Sequence, residues 1–170
     1  MAGLAGVLLV GRPGAFGPEP AAGPPAGVDA VLPLLVAVLD EAASPYLGAN
    51  LAAAGLAGLD PADPDFAESN LKHALNGFLF CNGPDAEVAA GAVVRVAAVA
   101  LGSQADLHSM QFMGQNLRGP DGAAQSAVAP MLPGAGLTAD LVPAEPGRWN
   151  FACAVHDHIE AGMQGALAVV

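Results

Sequence analysis

The sequence is short of basic residues, of cysteines and of long apolar runs. Five lysines and arginines stand against 16 aspartates and glutamates, a formal net charge of -11 over 170 residues. Such a surface repels a phosphate backbone, so we expect no nucleic-acid partner. Two cysteines cannot build the disulfide framework of a small secreted domain. No apolar run reaches the ~20 residues that a membrane helix needs, because Arg95 interrupts the longest candidate and Pro33 lies within another.

Aromatic residues are also scarce, at 5% of the chain, and many apolar positions are alanine, a poor strand former. The apolar runs are short, however, and Gly and Pro separate them, which is typical of an antiparallel β-sandwich. Residues 31–39 predict a strand covered on both faces. Residues 47–56 predict one short helix that starts at Ser44 and Pro45. Further strands are predicted near residues 75–80, 92–101, 107–113, 137–142, 148–154 and 163–170.

The first 27 residues differ from the rest. Residues 1–10 are apolar but lack a basic start and have a short apolar core, so they predict a strand rather than a signal peptide. Residues 11–27 contain five prolines and five glycines without periodicity, as in a linker or mobile loop. Residues 28–170 remain as one domain, and a chain of this length buries about two-thirds of its unfolded surface.

Three potential metal ligands stand at even spacing near the C-terminus: Cys153, His158 and Met163. A thiolate, an imidazole and a thioether suit copper better than zinc, calcium or magnesium, and a blue-copper site combines two His, one Cys and a weak axial Met. The second histidine must come from elsewhere, and His108, in a stretch of strand character, is the best candidate. The alternative is that the cysteine is a small buried hydrophobe and the methionine fills the core.

The same residues carry a resemblance to the multicopper ferroxidase family of ceruloplasmin and hephaestin. The matching segments follow one another in the family's order. They are Asp40–Glu41 through Tyr46–Leu47, FAESN with HALNGF at 66–78, DLHSMQFMG at 106–114, PGRW through Cys153, and DHIEAGM at 157–163. The chain is similar, less closely, to the copper-poor A domains of clotting factors V and VIII.

The resemblance implies an all-β, cupredoxin-like Greek-key β-sandwich with a mononuclear type 1 copper held by His108, Cys153, His158 and Met163. It also implies an internal, even-numbered domain, in which residues 1–10 match the closing strand of a preceding domain. Electron transfer in iron oxidation, ferrous iron as the electron donor, neighbouring cupredoxin domains as partners and an extracellular or secreted location follow from the same resemblance.

Four departures from the family concern its oxygen-reducing copper cluster. In the family's oxidase domain the first-histidine strand reads H-x-x-H-x-H, and a histidine flanks the cysteine on each side. Gln111, Met113, Ala152 and Ala154 stand at those positions in this chain. None of them can replace a neutral imidazole as a copper ligand. We therefore expect a domain that lacks its half of the trinuclear cluster and is not a complete oxidase alone.

The family's iron ligands are matched only in part. Glu41 and Asp157 occupy matching positions, whereas Gln104 stands where a glutamate is expected and Tyr46 where a histidine is. The alternative is that both acids are ordinary solvated side chains. Asp157 has a third possible role, since a carboxylate beside His158 is placed to orient the ligand loop by hydrogen bonding.

The remaining candidates are structural. His73 is expected to be a hydrogen-bonded interior histidine, and His156 to be exposed on the ligand loop. Cys81 is expected to be a free thiol, because Ala89 occupies the first position of the disulfide found in related domains. Two functions thus remain open. One is a redox-active copper domain of a ferroxidase, and the other is a structural A-type domain that acts as a protein-binding module.

Overall fold

The computed structural model describes residues 5–16, 23–101, 107–122 and 125–170. Within these ranges, strands dominate and three short helices connect them. The helices are α1 (Leu47–Ala53), α2 (Pro64–Ser69) and α3 (His156–Glu160). The strands are β1 (Ala30–Asp40), β2 (Leu71–Leu75), β3 (Ala86–Val88), β4 (Val94–Leu101), β5 (His108–Phe112), β6 (Leu117–Arg118), β7 (Gln125–Ser126), β8 (Val128–Met131), β9 (Gly136–Leu141), β10 (Gly147–Cys153) and β11 (Gln164–Val169).

Two sheets enclose the core. One has six strands in the order β2-β1-β4-β9-β6-β7, and the other has five in the order β3-β11-β10-β5-β8. The pairs β1–β4 and β3–β11 are parallel, and the other pairs are antiparallel. Side chains from both sheets form one apolar cluster. The predicted all-β sandwich is therefore confirmed.

Strand β1 shows how the apolar runs produce this architecture. Leu34 and Val36, two residues apart, are buried on its inner face, because alternate residues of a strand share a face. The opposite face is only partly covered, since Pro33 is exposed and Leu35 is half-buried. The strand prediction is confirmed, and the expectation that both faces are covered holds only toward the C-terminal end of the strand.

One predicted strand was wrong. Residues 75–80 were expected to be extended, but the strand β2 ends at Leu75 and a turn follows. Asn76 has a φ of 52° there, a left-handed conformation that asparagine tolerates better than most residues. Its side chain accepts a hydrogen bond from the Leu35 N–H at 2.7 Å and donates one to the Pro33 carbonyl at 2.9 Å. The Asn76 N–H also donates to the Leu35 carbonyl at 2.8 Å, so backbone and side chain together bind this residue to β1, and the strand ends at the turn.

The helix start was also misplaced. Helix α1 begins at Leu47, and its N-cap residue Tyr46 makes no capping hydrogen bond with its side chain. Ser44 instead accepts a hydrogen bond from the Tyr46 N–H at 3.2 Å, within the preceding turn. The sequence predicted one helix, whereas the described part of the chain has three, the other two being α2 and α3. Asp63 caps α2 by accepting from two backbone N–H groups, and Pro64 occupies its first turn.

The predictions for the N-terminal 27 residues can be compared with the structure only in part. Residues 5–10 are not in a strand, and residues 1–4 lie outside the described residues. The turns at residues 13–16 and 24–27 agree with a loop, although residues 17–22 are also outside the described ranges. In the part of the chain that the structure describes, no helix is both long and apolar enough to cross a bilayer.

Candidate metal centre

Strands β5 and β10 bring the first two predicted ligands to one end of the sandwich. The strands are antiparallel neighbours, and Cys153, the last residue of β10, pairs with Met110. His108 begins β5, two residues before Met110, so it lies on the same face of the sheet as Cys153. Both side chains are fully buried. The alternation of the two strands thus directs the thiol and the imidazole into the interior.

The loop between β10 and β11 brings the other two. His158 lies in α3, and Met163 precedes β11. The Met163 N–H donates to the His158 carbonyl at 2.9 Å, and the Cys153 N–H donates to the Met163 carbonyl at 3.1 Å. Met163 is fully buried and His158 is 2% exposed. The backbone of Met163 is therefore hydrogen-bonded to both Cys153 and His158, the two potential ligands that precede it in the chain.

The side chains converge closely. The Cys153 Sγ lies 3.5 Å from the His158 Nδ1, and the ring centroids of His108 and His158 are 5.0 Å apart. One potential ligand atom from each of His108, Cys153 and His158 lies within 4.8 Å of the other two. This is the one such group of three or more His, Cys, Asp or Glu side chains among the described residues.

The chemistry of this group fits copper. A thiol and two imidazoles are soft and borderline donors, and none of the three is a carboxylate that a hard cation would prefer. The Ser109 N–H donates to the Cys153 Sγ at 3.4 Å, so the sulfur is held in place by β5 as well as by its own strand. The group is therefore compatible with a type 1 copper site.

The outer face of the same strands lacks imidazoles. Ala152 pairs directly with Gln111. Two of the positions at which the family's cluster has histidines are therefore side by side. Gln111 and Met113 are half-buried, and Ala154 is exposed. None of these side chains can act as the histidine that the family's cluster requires.

The predicted iron ligands are placed differently from the copper group. Glu41 and Asp157 are both exposed, and across the described ranges neither belongs to a group of three potential ligands. Tyr46 is 63% exposed. Gln104, the fourth position considered, lies outside the described residues. The iron site stays a prediction.

His73 has a neighbour that the sequence did not indicate. It is buried as expected, but its ring centroid lies 4.7 Å from that of His158, with the planes 42° apart. Its Nδ1 has no hydrogen-bond partner in the part of the chain that the structure describes. Alternation along β2 predicts burial of this side chain, whereas its contact with His158 depends on how the two sheets pack.

The other two candidates are as expected. His156 is exposed, and its Nε2 lies 3.2 Å from the Oε1 of Glu160, one helical turn later. Cys81 is a free, half-buried cysteine, and the Asn150 side-chain amide donates to its sulfur at 3.5 Å. Neither residue belongs to the buried ligand group.

Comparison with known proteins gave consistent results, although no family model matches the chain. Ferroxidase HEPHL1 from Mus musculus is 34% identical over 98% of the chain, and hephaestin from Rattus norvegicus is 38% identical over 95%. Ceruloplasmin from Homo sapiens is 34% identical over 81% of the chain. The chain spans 13–14% of the length of these relatives.

The solved structures share the fold. A multicopper oxidase from Campylobacter jejuni has a TM-score of 0.62 at 14% identity, and the match covers 86% of this chain and 31% of that one. Fold and ligand group together define a cupredoxin domain of the multicopper-oxidase class. Within that class, the sequence matches place the chain more narrowly. Over most of its length the chain is similar to one segment of the ferroxidases hephaestin, HEPHL1 and ceruloplasmin.

Proposed function

We propose that residues 28–170 form a cupredoxin domain with one type 1 copper ion, which transfers single electrons during iron oxidation in a larger protein. The supporting observation is the buried group of His108, Cys153 and His158, with one potential ligand atom from each within 4.8 Å of the other two. Met163 is the proposed axial ligand. It is fully buried, and its backbone is hydrogen-bonded to His158 and Cys153.

Each residue has a defined task in this proposal. Cys153 provides the thiolate ligand, and the Ser109 N–H donates to its sulfur at 3.4 Å. His108 and His158 provide neutral imidazole nitrogens, and Met163 provides a weak thioether. Bound copper would supply a couple that gains and loses one electron. The burial of all four side chains excludes water, and the apolar surroundings of a metal site tune its reduction potential.

The outer face limits the reaction to electron transfer. Gln111, Met113, Ala152 and Ala154 supply no imidazole, so these strands have nothing with which to hold the family's cluster. The proposed domain accepts and passes on an electron, and oxygen reduction depends on neighbouring cupredoxin domains. An extracellular or secreted location belongs to the same proposal.

Ferrous iron is the proposed electron donor. Asp157 is exposed at the start of α3, one residue before the buried His158, so it combines access to solvent with proximity in the chain to a copper ligand. Glu41 is exposed just after β1. The net charge of -11 also raises the local concentration of cations at the surface.

The test is a rapid-mixing experiment on the copper-loaded chain. We expect one copper per chain, a blue colour, and loss of that colour when ferrous ion is added in the absence of oxygen. Asp157→Asn and Glu41→Gln should each slow the loss. Glu145→Gln is the matched control, because this exposed acid lies beyond the opposite end of β10 from Cys153.

Three results would each contradict a part of the proposal. A folded chain that binds no copper would favour the A-type, protein-binding alternative. A blue chain that ferrous ion does not reduce would leave the copper site in place and remove iron as the donor. Equal rates in all three acid variants would remove Glu41 and Asp157 from the proposed iron site.

A further inference from the structure

Two consecutive residues beside the ligand loop have an unusual backbone conformation. Phe80 has a φ of 53° and Cys81 a φ of 55°. Left-handed backbone is a clear outlier for a bulky residue such as phenylalanine. A conformation of this kind persists only where the surrounding structure fixes it, and such positions cluster at functional sites. The question is therefore what holds these two residues.

Two backbone hydrogen bonds hold them to the ligand loop. The Phe80 N–H donates to the Gly162 carbonyl at 2.8 Å, and the Cys81 N–H donates to the Gln164 carbonyl at 3.2 Å. The two acceptors are the residues immediately before and after Met163. The left-handed turn thus fixes the chain on both sides of the proposed axial ligand.

The ring of Phe80 adds a side-chain contact to the same point. A Cβ atom built on Gly162 would lie 2.8 Å from the Phe80 Cε2, so the ring rests directly on the glycine backbone. Gly162 is buried, although Phe80 itself is 56% exposed. Gly162 also has a φ of 102°, which favours glycine. The ring therefore covers the ligand loop and has its other side in solvent.

We propose that Phe80 is a positioning residue for the copper site, which fixes the segment from Gly162 to Gln164 and thereby the thioether of Met163. This inference rests on the proposed copper site for its functional meaning. The clamp itself, formed by two hydrogen bonds and one ring contact, is a property of the copper-free chain. It therefore has a test that needs no metal.

Phe78 is a matched control within the same turn. It is also an exposed aromatic residue, at 45%, but its ring packs on Gly83, where a built Cβ would lie 2.9 Å from it. Phe78→Ala thus removes a comparable ring without removing the cover over Gly162. Phe80→Tyr keeps that cover, and Phe80→Leu is a milder variant if Phe80→Ala does not fold.

The first experiment is amide hydrogen exchange on the copper-free proteins. Phe80→Ala should accelerate exchange several-fold at the amides of Cys81 and Met163, because local opening of the clamp becomes easier. The amides of β4 should be unaffected, and Phe78→Ala and Phe80→Tyr should resemble the parent. Unchanged exchange at Cys81 and Met163 in both Phe80→Ala and Phe80→Leu would overturn the inference.

The second experiment measures the reduction potential of the copper-loaded proteins. If the clamp holds the thioether, Phe80→Ala should shift the potential in the same direction as Met163→Leu, but by less. A shift in the opposite direction would overturn the inference, because it would indicate that water enters the site rather than that the thioether is lost. The same shift in Phe78→Ala would also overturn it, because the effect would then not depend on the ring over Gly162. If the parent chain takes up no copper, the proposed function fails, while the exchange result still decides on the clamp.

Discussion

The two faces of the β5–β10 strand pair differ in the potential metal ligands that they carry. On the inner face, His108 and Cys153 are fully buried and meet His158 from the adjoining loop. On the outer face, Gln111 pairs with Ala152, where the family's cluster would need histidines. The two sets of positions alternate along the same strands, since successive side chains point to opposite faces.

The difference shows that one pair of strands can present a group of potential metal ligands on one face and none on the other, because the two faces use alternate positions. A substitution at Gln111 changes the outer face alone, whereas one at Cys153 or Met110 alters the packed interior. The inner face is coupled to the core through Phe112, which stacks on Phe151 with the ring centroids 5.2 Å apart. On the outer face, Ala152 is buried but Gln111 and Met113 are only half-buried.

The largest effect is expected from removing that inner stack. Phe112 is 2% exposed, and Phe112→Ala should lower the free energy of unfolding by about 3–5 kcal/mol, because it deletes apolar contacts and leaves a cavity. Met113→Ala, its half-buried neighbour on the outer face, should cost about 1 kcal/mol or less. Chemical denaturation of both variants measures the contrast. Equal costs would mean that the two faces are not packed differently.

The next effect concerns chemistry on the outer face. The copper-loaded chain alone should take up at most one electron per copper and show no sustained oxygen consumption. The reason is that Gln111, Met113, Ala152 and Ala154 cannot hold cluster copper. An oxygen electrode in metal-scrubbed buffer, with ferrous ion as the reductant, measures this. Many turnovers per chain would contradict the assignment of the outer face.

A smaller effect is expected at Met163. The swap Met163→Leu conserves volume, so it should cost less than about 1.5 kcal/mol of folding stability. If the thioether is an axial ligand, the blue colour should persist and the reduction potential should rise, because the oxidised ion loses a donor. Redox titration of both proteins measures the shift. Equal potentials would leave Met163 as a packing residue and give a site with three ligands.

The smallest effect concerns the exposed pair at the far end of β10. Arg148 donates to both oxygens of Asp85, at 2.7 and 3.0 Å, and these hydrogen bonds lower the pKa of Asp85 from its ordinary value of 3.8. A lowered folded-state pKa stabilises the fold above 3.8, and this contribution is lost as the pH falls through the lowered value.

Asp85→Asn should therefore be slightly less stable than the parent at neutral pH, and the difference should vanish in acid. The effect is small because water screens an exposed pair. Denaturation curves from neutral pH down to below the ordinary pKa of Asp85 measure it, with Glu87→Gln on β3 as the control. A difference that grows in acid would contradict the stated sign.

Much of the sandwich could be predicted from the sequence, as could the grouping of His108, Cys153 and His158. The strands β4, β5, β9, β10 and β11 lie within two residues of their predicted positions, because apolar runs between Gly and Pro mark them clearly. The strand expected at residues 75–80 was wrong, since Asn76 takes a left-handed turn conformation and its side chain hydrogen-bonds to β1. Such a contact across more than 40 residues has no local signal.

Other features depended on packing between distant segments. The stretch β6, β7 and β8 has only two to four residues per strand, too few for a period to be recognised. The contact of His73 with His158 and the ring of Phe80 on Gly162 join residues more than 80 positions apart. Ligand types and their spacing are visible in a sequence, whereas the residues that orient the ligands are not.

The central claim is that Cys153, and not Cys81, is the copper ligand on the inner face. The most direct test is the visible absorption spectrum after cupric ion is added to the parent chain, to Cys153→Ser and to Cys81→Ser. The intense band of a thiolate bound to copper should be present in the parent and in Cys81→Ser, and absent in Cys153→Ser. A band that survives in Cys153→Ser, or that disappears in Cys81→Ser, would contradict the proposed site.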